Sequence, residues 1–395
     1  NFGTEYEVCR LAKKLNVPVL LWGPRDECPD ENGMRLRDSQ CGLFATGKVL
    51  RRFGIPFTYL KNCNLEDECF AEGIDRFLRV CNVVKAFRNT RVLQISTRPF
   101  DFWSTMCNEG ELLEKFGIQL SPIPMPELTQ AMKDVKENSP EEIKEVTDYC
   151  REKMCIKVTP EQLDNVAAVK IAMTRLGKKY GCNCGAIQCW NALQDEIGIM
   201  PCAANALCND EGFPIACETD IHGTITSVLV EAAAMGETRS FFADWTVRHP
   251  YNDNAELLQH CGPWPISIAK EKPTIDTPVA FDCSGSLMAQ AKDGEHISLV
   301  RFDGDNGEYS LLLGNAKTVD GPYTKGTYMW VEVENLDRLE DKLVQGPYIH
   351  HCVGVHQDVV PVLYEACKYI GVTPDLYDPI EEKVKAIIRG EKVEK

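Results

Sequence analysis

The stretch 213–244 constrains this chain more than any other. Two short apolar runs, Phe213-Pro214-Ile215-Ala216-Cys217 and Ser240-Phe241-Phe242-Ala243, each close on a carboxylate, Glu218 and Asp244. Between them residues 223–235 are small, apolar and long enough for a helix of about three to four turns. This is the pattern of a β-α-β unit. Its strands run parallel, so residues at their C-terminal ends emerge on one sheet edge, and Glu218 and Asp244 are expected to face one crevice. Leu257-Leu258-Gln259-His260 adds a buried strand with a polar end. A single acid at a strand end is ordinarily a helix cap or a solvated group. Two acids and an imidazole at the ends of successive apolar strands suit a hard, open divalent-metal site.

These residues also carry a resemblance. Cys217-Glu218-Thr219-Asp220-Ile221-His222-Gly223, Phe242-Ala243-Asp244-Trp245, His260-Cys261-Gly262 and the distant Ile349-His350-His351-Cys352 resemble, in order and spacing, the L-fucose isomerase and L-arabinose isomerase superfamily. The resemblance implies an α/β protein: two Rossmann-like α/β domains followed by a C-terminal β-barrel-like domain, with a metal at the junction of the last two. Boundaries are expected near residues 90 and 236, giving units 1–90, 91–235 and 236–395.

A chain of 395 residues is long enough for two or three cores. A net charge of −16 leaves no basic stripe to neutralise phosphates, which argues against nucleic acid as a partner. No apolar run approaches the roughly 20 residues that span a bilayer, and no secretory segment opens the chain, so a cytoplasmic location is expected. The 19 cysteines are scattered and odd in number, which reads as reduced thiols in a reducing compartment. The densest group, from Cys182 to Cys217, lacks paired C-x-x-C knuckles and does not read as a structural zinc or iron–sulfur site.

The chain opens on Asn1-Phe2-Gly3-Thr4 and runs at once into an amphipathic helix with Val8, Leu11, Ala12 and Leu15 on one face, then a strand over 17–22. It reads as beginning inside its first domain, and the resemblance implies one or two β-α units ahead of it. By themselves Trp22 reads as a core tryptophan and Arg37 as one half of an Arg-Asp surface pair; Gln40 lies in the same polar stretch. The resemblance makes them substrate contacts supplied to a neighbouring subunit. Residues 42–53 and 66–87 are spaced as helices, 55–60 and 91–96 as strands. Further helices are expected over 109–117 and 126–137. Ser139-Pro140 and Thr159-Pro160 mark two more helix starts. Gly181 to Gln188 is a glycine-rich entry into an apolar strand with a polar end, and the resemblance points Gln188 into the pocket as a sugar hydroxyl partner.

Beyond Gly236 the segments 279–281, 296–302, 309–313 and 327–333 read as strands separated by glycine and aspartate turns, a barrel or sandwich signature. Asp303 to Asn306 resembles a calcium loop, but the downstream ligands are missing and a hairpin turn is the expectation. Adjacent His350 and His351 on an extended segment point to opposite sides, so at most one faces a metal. The resemblance places one of the pair in the metal shell, with His351 favoured; His356 is kept out of the site. Fewer residues separate His260 from this pair than the resemblance implies.

No phosphate cradle, nucleophile elbow or nicotinamide fingerprint is present. The resemblance implies aldose–ketose isomerisation of an open-chain pentose or deoxyhexose through an ene-diolate. Glu218 and Asp244 would be both metal ligands and proton exchangers, His260 and His351 would complete or support the shell, and the cofactor would be Mn2+ or another divalent cation. Two coupled carboxylates beside a cation take unequal pKa values and hence unequal roles; which is acid and which base stays open. A homo-oligomer is expected, a hexamer by resemblance. Two other classes use similar parts: a non-catalytic sugar-binding protein built from tandem α/β domains, and a metal-dependent hydrolase.

Overall fold

The computed structural model describes residues 4–278 and 282–393; the strand expected at 279–281 lies outside them. The N-terminal part has two short parallel strands, Leu20–Leu21 and Thr58–Tyr59, beside helices Glu5–Leu15, Ser39–Arg52 and Glu68–Arg88. The first helix turns Cys9 inward and leaves Val8, Leu11 and Leu15 exposed. The expected apolar stripe is therefore the face turned to solvent.

A four-stranded parallel sheet follows, ordered Gln119–Ile123, Arg91–Ile95, Cys184–Ile187, Ile215–Ala216. Long helices pack beside it. One of them, Pro160–Tyr180, starts on a capping box in which Thr159 and Gln162 satisfy each other's backbone N–H groups. At Pro140–Lys153 proline opens the helix as expected, but Ser139 makes no side-chain cap bond.

The C-terminal part is a closed wall. Glu308–Val319 pairs with Ile297–Asp305 on one side and Thr327–Glu332 on the other. The run through His351–Val355, Phe241–Arg248 and Ala255–His260 thus returns on itself as a six-stranded antiparallel barrel. The chain is mixed α/β, with parallel sheets first and a barrel after.

The β-α-β reading of 213–244 does not hold. Ile215–Ala216 belongs to the parallel sheet and Phe241–Arg248 to the barrel. The helix between them, Ile221–Ala233, lies between the two sheets and is buried almost all round. A helix that is small and apolar on every side looks the same in sequence whether it crosses over one sheet or bridges two. Glu218 and Asp244 therefore do not leave one parallel edge; each comes from its own sheet. The bridging helix joins Val84 and Phe87 to Val300, Phe302 and Leu363 in one continuous core.

One carboxyl sits in the barrel wall itself. Burial, and then the charge of Glu340, push the pKa of Glu256 up to about 7. The folded state thus binds this proton more tightly than the unfolded chain. The associated stability is present below the ordinary carboxyl range and is lost as pH rises through about 7. Glu256→Gln is expected to stabilise the protein by about 1–2 kcal/mol at pH near 8 and to flatten the decline from about pH 5. Urea unfolding at the two pH values measures this; equal effects of the substitution at both would contradict it.

Candidate active site

The parallel sheet ends in strained turns on one edge. Ser96, Asn191, Glu218 and Thr219 all take positive φ, between 53° and 67°. For residues with a side chain this costs about 1–3 kcal/mol each and persists only where surroundings enforce it. Here they do. The Glu218 N–H donates to Cys189 Sγ at 3.4 Å, the Thr219 N–H to Ile187 O at 3.0 Å, and the Thr219 hydroxyl to Thr97 O at 3.0 Å. The Thr105 hydroxyl reaches Glu218 O at 3.4 Å. These bonds aim the Glu218 side chain at the barrel.

The barrel answers with three groups. Asp244 is in mid-strand, directly opposite His351 on the neighbouring strand, and the register slips just beyond it between Trp245 and Val247. His260 ends the next strand. His351 Nε2 lies 3.3 Å from Glu218 Oε2 and 3.5 Å from Asp244 Oδ1, and His260 Nε2 lies 3.6 and 3.8 Å from the same two oxygens. All four of these atoms are buried and none has a hydrogen-bond partner. Two carboxylate oxygens and the His351 nitrogen left unsatisfied around one point, with the second ring beside them, fit a divalent cation, since buried polar atoms are otherwise paired; His260, expected among the ligands, accepts at Nδ1 from the Cys261 N–H and so turns a protonated Nε2 to the carboxylates. His350, on the same turn, is exposed but also lies within reach of Asp244.

The electrostatics agree. Burial alone would raise the Glu218 carboxyl, but the His260 and His351 rings outweigh it and hold the group well below the usual carboxylate range. Burial lowers His351, yet Asp220 and Glu218 bring it up to about 9, and His260 is likewise raised.

A second layer holds the first. Asp220, two residues beyond Glu218, caps the bridging helix through the Gly223 N–H and accepts from His351 Nδ1 at 2.8 Å. A carboxylate only accepts, so Nδ1 carries the proton and Nε2 keeps its lone pair for a metal. Gly223 cannot be larger: a Cβ would lie 2.5 Å from the Phe242 ring and 2.7 Å from Asp220 Oδ2. Asp220 is gripped through both oxygens by Arg301, whose Nε donates to Asp303 Oδ2 at 2.9 Å; Asp303 Oδ1 in turn meets His222 Nδ1 at 2.9 Å. All five groups from His351 to His222 are buried. Reading the sequence missed this relay. Its one signal in the sequence is Arg301 inside the apolar run 297–302; the turn expected over Asp303 to Asn306 lies at Asn306-Gly307, and Asp303 belongs to the strand before it.

Over the site runs the loop after strand Arg91–Ile95. Its Phe102 stacks on Trp190 at 5.4 Å and packs near His350 and His351. Trp190 donates to Glu218 Oε1 at 3.2 Å. Gln188 follows its strand and accepts from the Ser96 hydroxyl at 2.7 Å, on the same edge as Glu218.

Trp22, Arg37 and Gln40 lie elsewhere in the chain. Trp22 packs on Phe70, and Arg37 pairs with Glu27 and Asp26. Gln40 is exposed at the start of helix Ser39–Arg52. Trp22 and Arg37 line a cleft of about 550 Å³. Among the described residues, no hydrogen bond or ion pair connects these three with Glu218, Asp244, His260 or His351.

The chain is similar in sequence to known proteins. The family described as Fucose/sulfoquinovose isomerase, N-terminal domain, matches residues 1–88. A sulfoquinovose isomerase of Priestia aryabhattai is 25% identical over 375 residues, covering 93% of this chain and 82% of the relative. One from Alkalicoccus urumqiensis is 24% identical over 357 residues, 89% and 79% of the two chains. A third, from Clostridium sp. (strain MSTE9), is 26% identical over 270 residues.

Proposed function

We propose that this chain, a member of the fucose isomerase-like superfamily, is a metal-dependent aldose–ketose isomerase whose substrate is a sulfonated aldose of the sulfoquinovose type. The observation that carries the reading is the convergence of four unpartnered buried atoms, from Glu218, Asp244, His260 and His351, on one point. The relatives' names, rather than any feature of the site, move the substrate from a plain pentose or deoxyhexose to sulfoquinovose.

Glu218, Asp244 and His351 would hold the cation, Mn2+ in our reading. The two histidines divide their work. His351 offers a Nε2 lone pair, whereas His260 Nδ1 accepts from the Cys261 N–H at 2.9 Å. The neutral His260 ring therefore keeps its proton on Nε2 and presents it to the two carboxylates, orienting them. A bound divalent cation supplies stabilisation of negative charge developing on neighbouring substrate oxygens. Glu218 and Asp244 exchange the proton between the adjacent carbons, one as base and one as acid. Phe102 and Trp190 exclude water from that step, and Gln188 meets a sugar hydroxyl. The loop that carries Phe102 also carries Arg98, stacked over Trp103 at 4.5 Å, a cation suited to an anionic substituent. Trp22, Arg37 and Gln40 would serve a neighbouring subunit of a homo-oligomer.

The test is a panel of aldoses, sulfoquinovose among them, incubated with enzyme and Mn2+ in D2O. Conversion to ketose with deuterium entering the reacting carbon is expected, as proton transfer through an ene-diolate allows exchange with solvent. Hydrolysis products, or binding of the sugars without conversion, would contradict the reading.

A further inference from the structure

Among the described residues, one other set of donors converges away from this site. Cys63 and Asp67, in the loop between strand Thr58–Tyr59 and helix Glu68–Arg88, and Cys69, in the first turn of that helix, bring two sulfurs and a carboxylate oxygen within 4.8 Å of one another. We propose that Cys63, Asp67 and Cys69 form a second metal site, for a thiophilic divalent cation such as Zn2+.

The donor set selects the ion. Two thiolates and one carboxylate favour a borderline-soft metal, and three protein ligands leave a fourth tetrahedral position to water. The Glu218 centre, built from carboxylates and imidazole, favours a harder ion, so the two sites sort their metals by chemistry.

The local fold prepares the site. Asp67 occupies the cap position of its helix, yet its side chain makes no cap bond. Its Oδ2 accepts instead from the Asn64 N–H at 2.7 Å, which bends the loop back and leaves the other oxygen available. Cys69 lies in the first turn of a 21-residue helix, which fixes its backbone beside the loop that carries Cys63 and Asp67. Cys63 is 3% exposed, while Asp67 and Cys69 are half-buried and give the ion its way in.

Without an ion burial raises the Cys63 thiol, and the nearby Trp22 indole only partly opposes the rise. Binding replaces two S–H bonds with two metal–sulfur bonds and releases two protons, with no electron transferred. The Trp22 ring packs on Phe70, the residue after Cys69. An ion here would fix the wall of the cleft that Trp22 lines and change the emission of that indole.

The test uses the whole reduced chain with Mn2+ present to occupy the harder centre, and Cd2+ as the probe. A thiolate-to-cadmium charge-transfer band should grow to one ion per chain, together with a change in tryptophan fluorescence. Both should vanish in Cys63→Ser/Cys69→Ser, and Asp67→Asn should weaken Cd2+ binding by about tenfold. Wild-type protein gives a readout that needs no variant: Zn2+ should protect Cys69 from alkylation while the exposed Cys28 and Cys41 stay reactive. A band unchanged in the double variant, or a Cys69 that Zn2+ fails to protect, overturns the proposal. Neither readout involves sugar turnover, so this site and the isomerase reading fail separately.

Discussion

Glu218→Gln is expected to lower turnover by about a thousandfold or more while leaving the fold and sugar binding in place. The substitution preserves shape. The Trp190 N–H still finds an oxygen at the amide, and the bonds that hold the left-handed backbone at 218 and 219 come from Cys189, Ile187, Thr97 and Thr105, not from the carboxylate. What is lost is charge. The carboxyl is held below its usual range, so it is anionic throughout the neutral region, and an amide neither accepts the substrate proton nor balances a cation. Metal affinity should fall with turnover, by at least about tenfold. Turnover with the sugar panel, calorimetric sugar binding and thermal unfolding measured together separate these effects. Undiminished turnover would remove Glu218 from the chemistry.

The second large effect is expected far from any substrate atom. Arg301 is 1% exposed and neutralises both Asp220 and Asp303. Arg301→Met keeps the volume but leaves two carboxylates buried beside each other without a counter-charge. Breaking such a network by removing one partner costs about 3–5 kcal/mol, read as a lower urea midpoint at unchanged slope. Asp220 would no longer be held against His351 Nδ1, so Mn2+ affinity should fall as well, by about 10–100-fold. Arg301→Met with wild-type stability and metal binding would show that the relay is dispensable.

The contrast between these residues explains what could be read in advance. Glu218 and His260 are legible as candidates because each stands where an apolar strand gives out, a boundary visible in one dimension. Asp244 was selected by the same logic for a reason that proved wrong. Its strand runs on to Arg248, and the residue faces the site because barrel pairing sets it opposite His351. An acid in mid-strand and an acid at a strand end look alike when only the preceding apolar run is visible. The barrel was legible as alternating strands with tight turns. The separation of Ile215–Ala216 from Phe241–Arg248 into two sheets was not, because sheet membership depends on partners more than a hundred residues away, such as His351 for Asp244. Arg301, Asp303, Asp220 and His222 stayed hidden for another reason. A buried charge is recognisable only by its partner, and here the partners are about eighty residues apart in sequence.

The measurement that bears most directly on the central claim is turnover of sulfoquinovose by protein stripped with a chelator and then resupplied with Mn2+, with bound metal counted at each stage. The account predicts no ketose from the stripped protein, recovery on adding Mn2+, and an ion held by wild type that Glu218→Gln binds far more weakly. Full ketose formation by metal-free protein would contradict it.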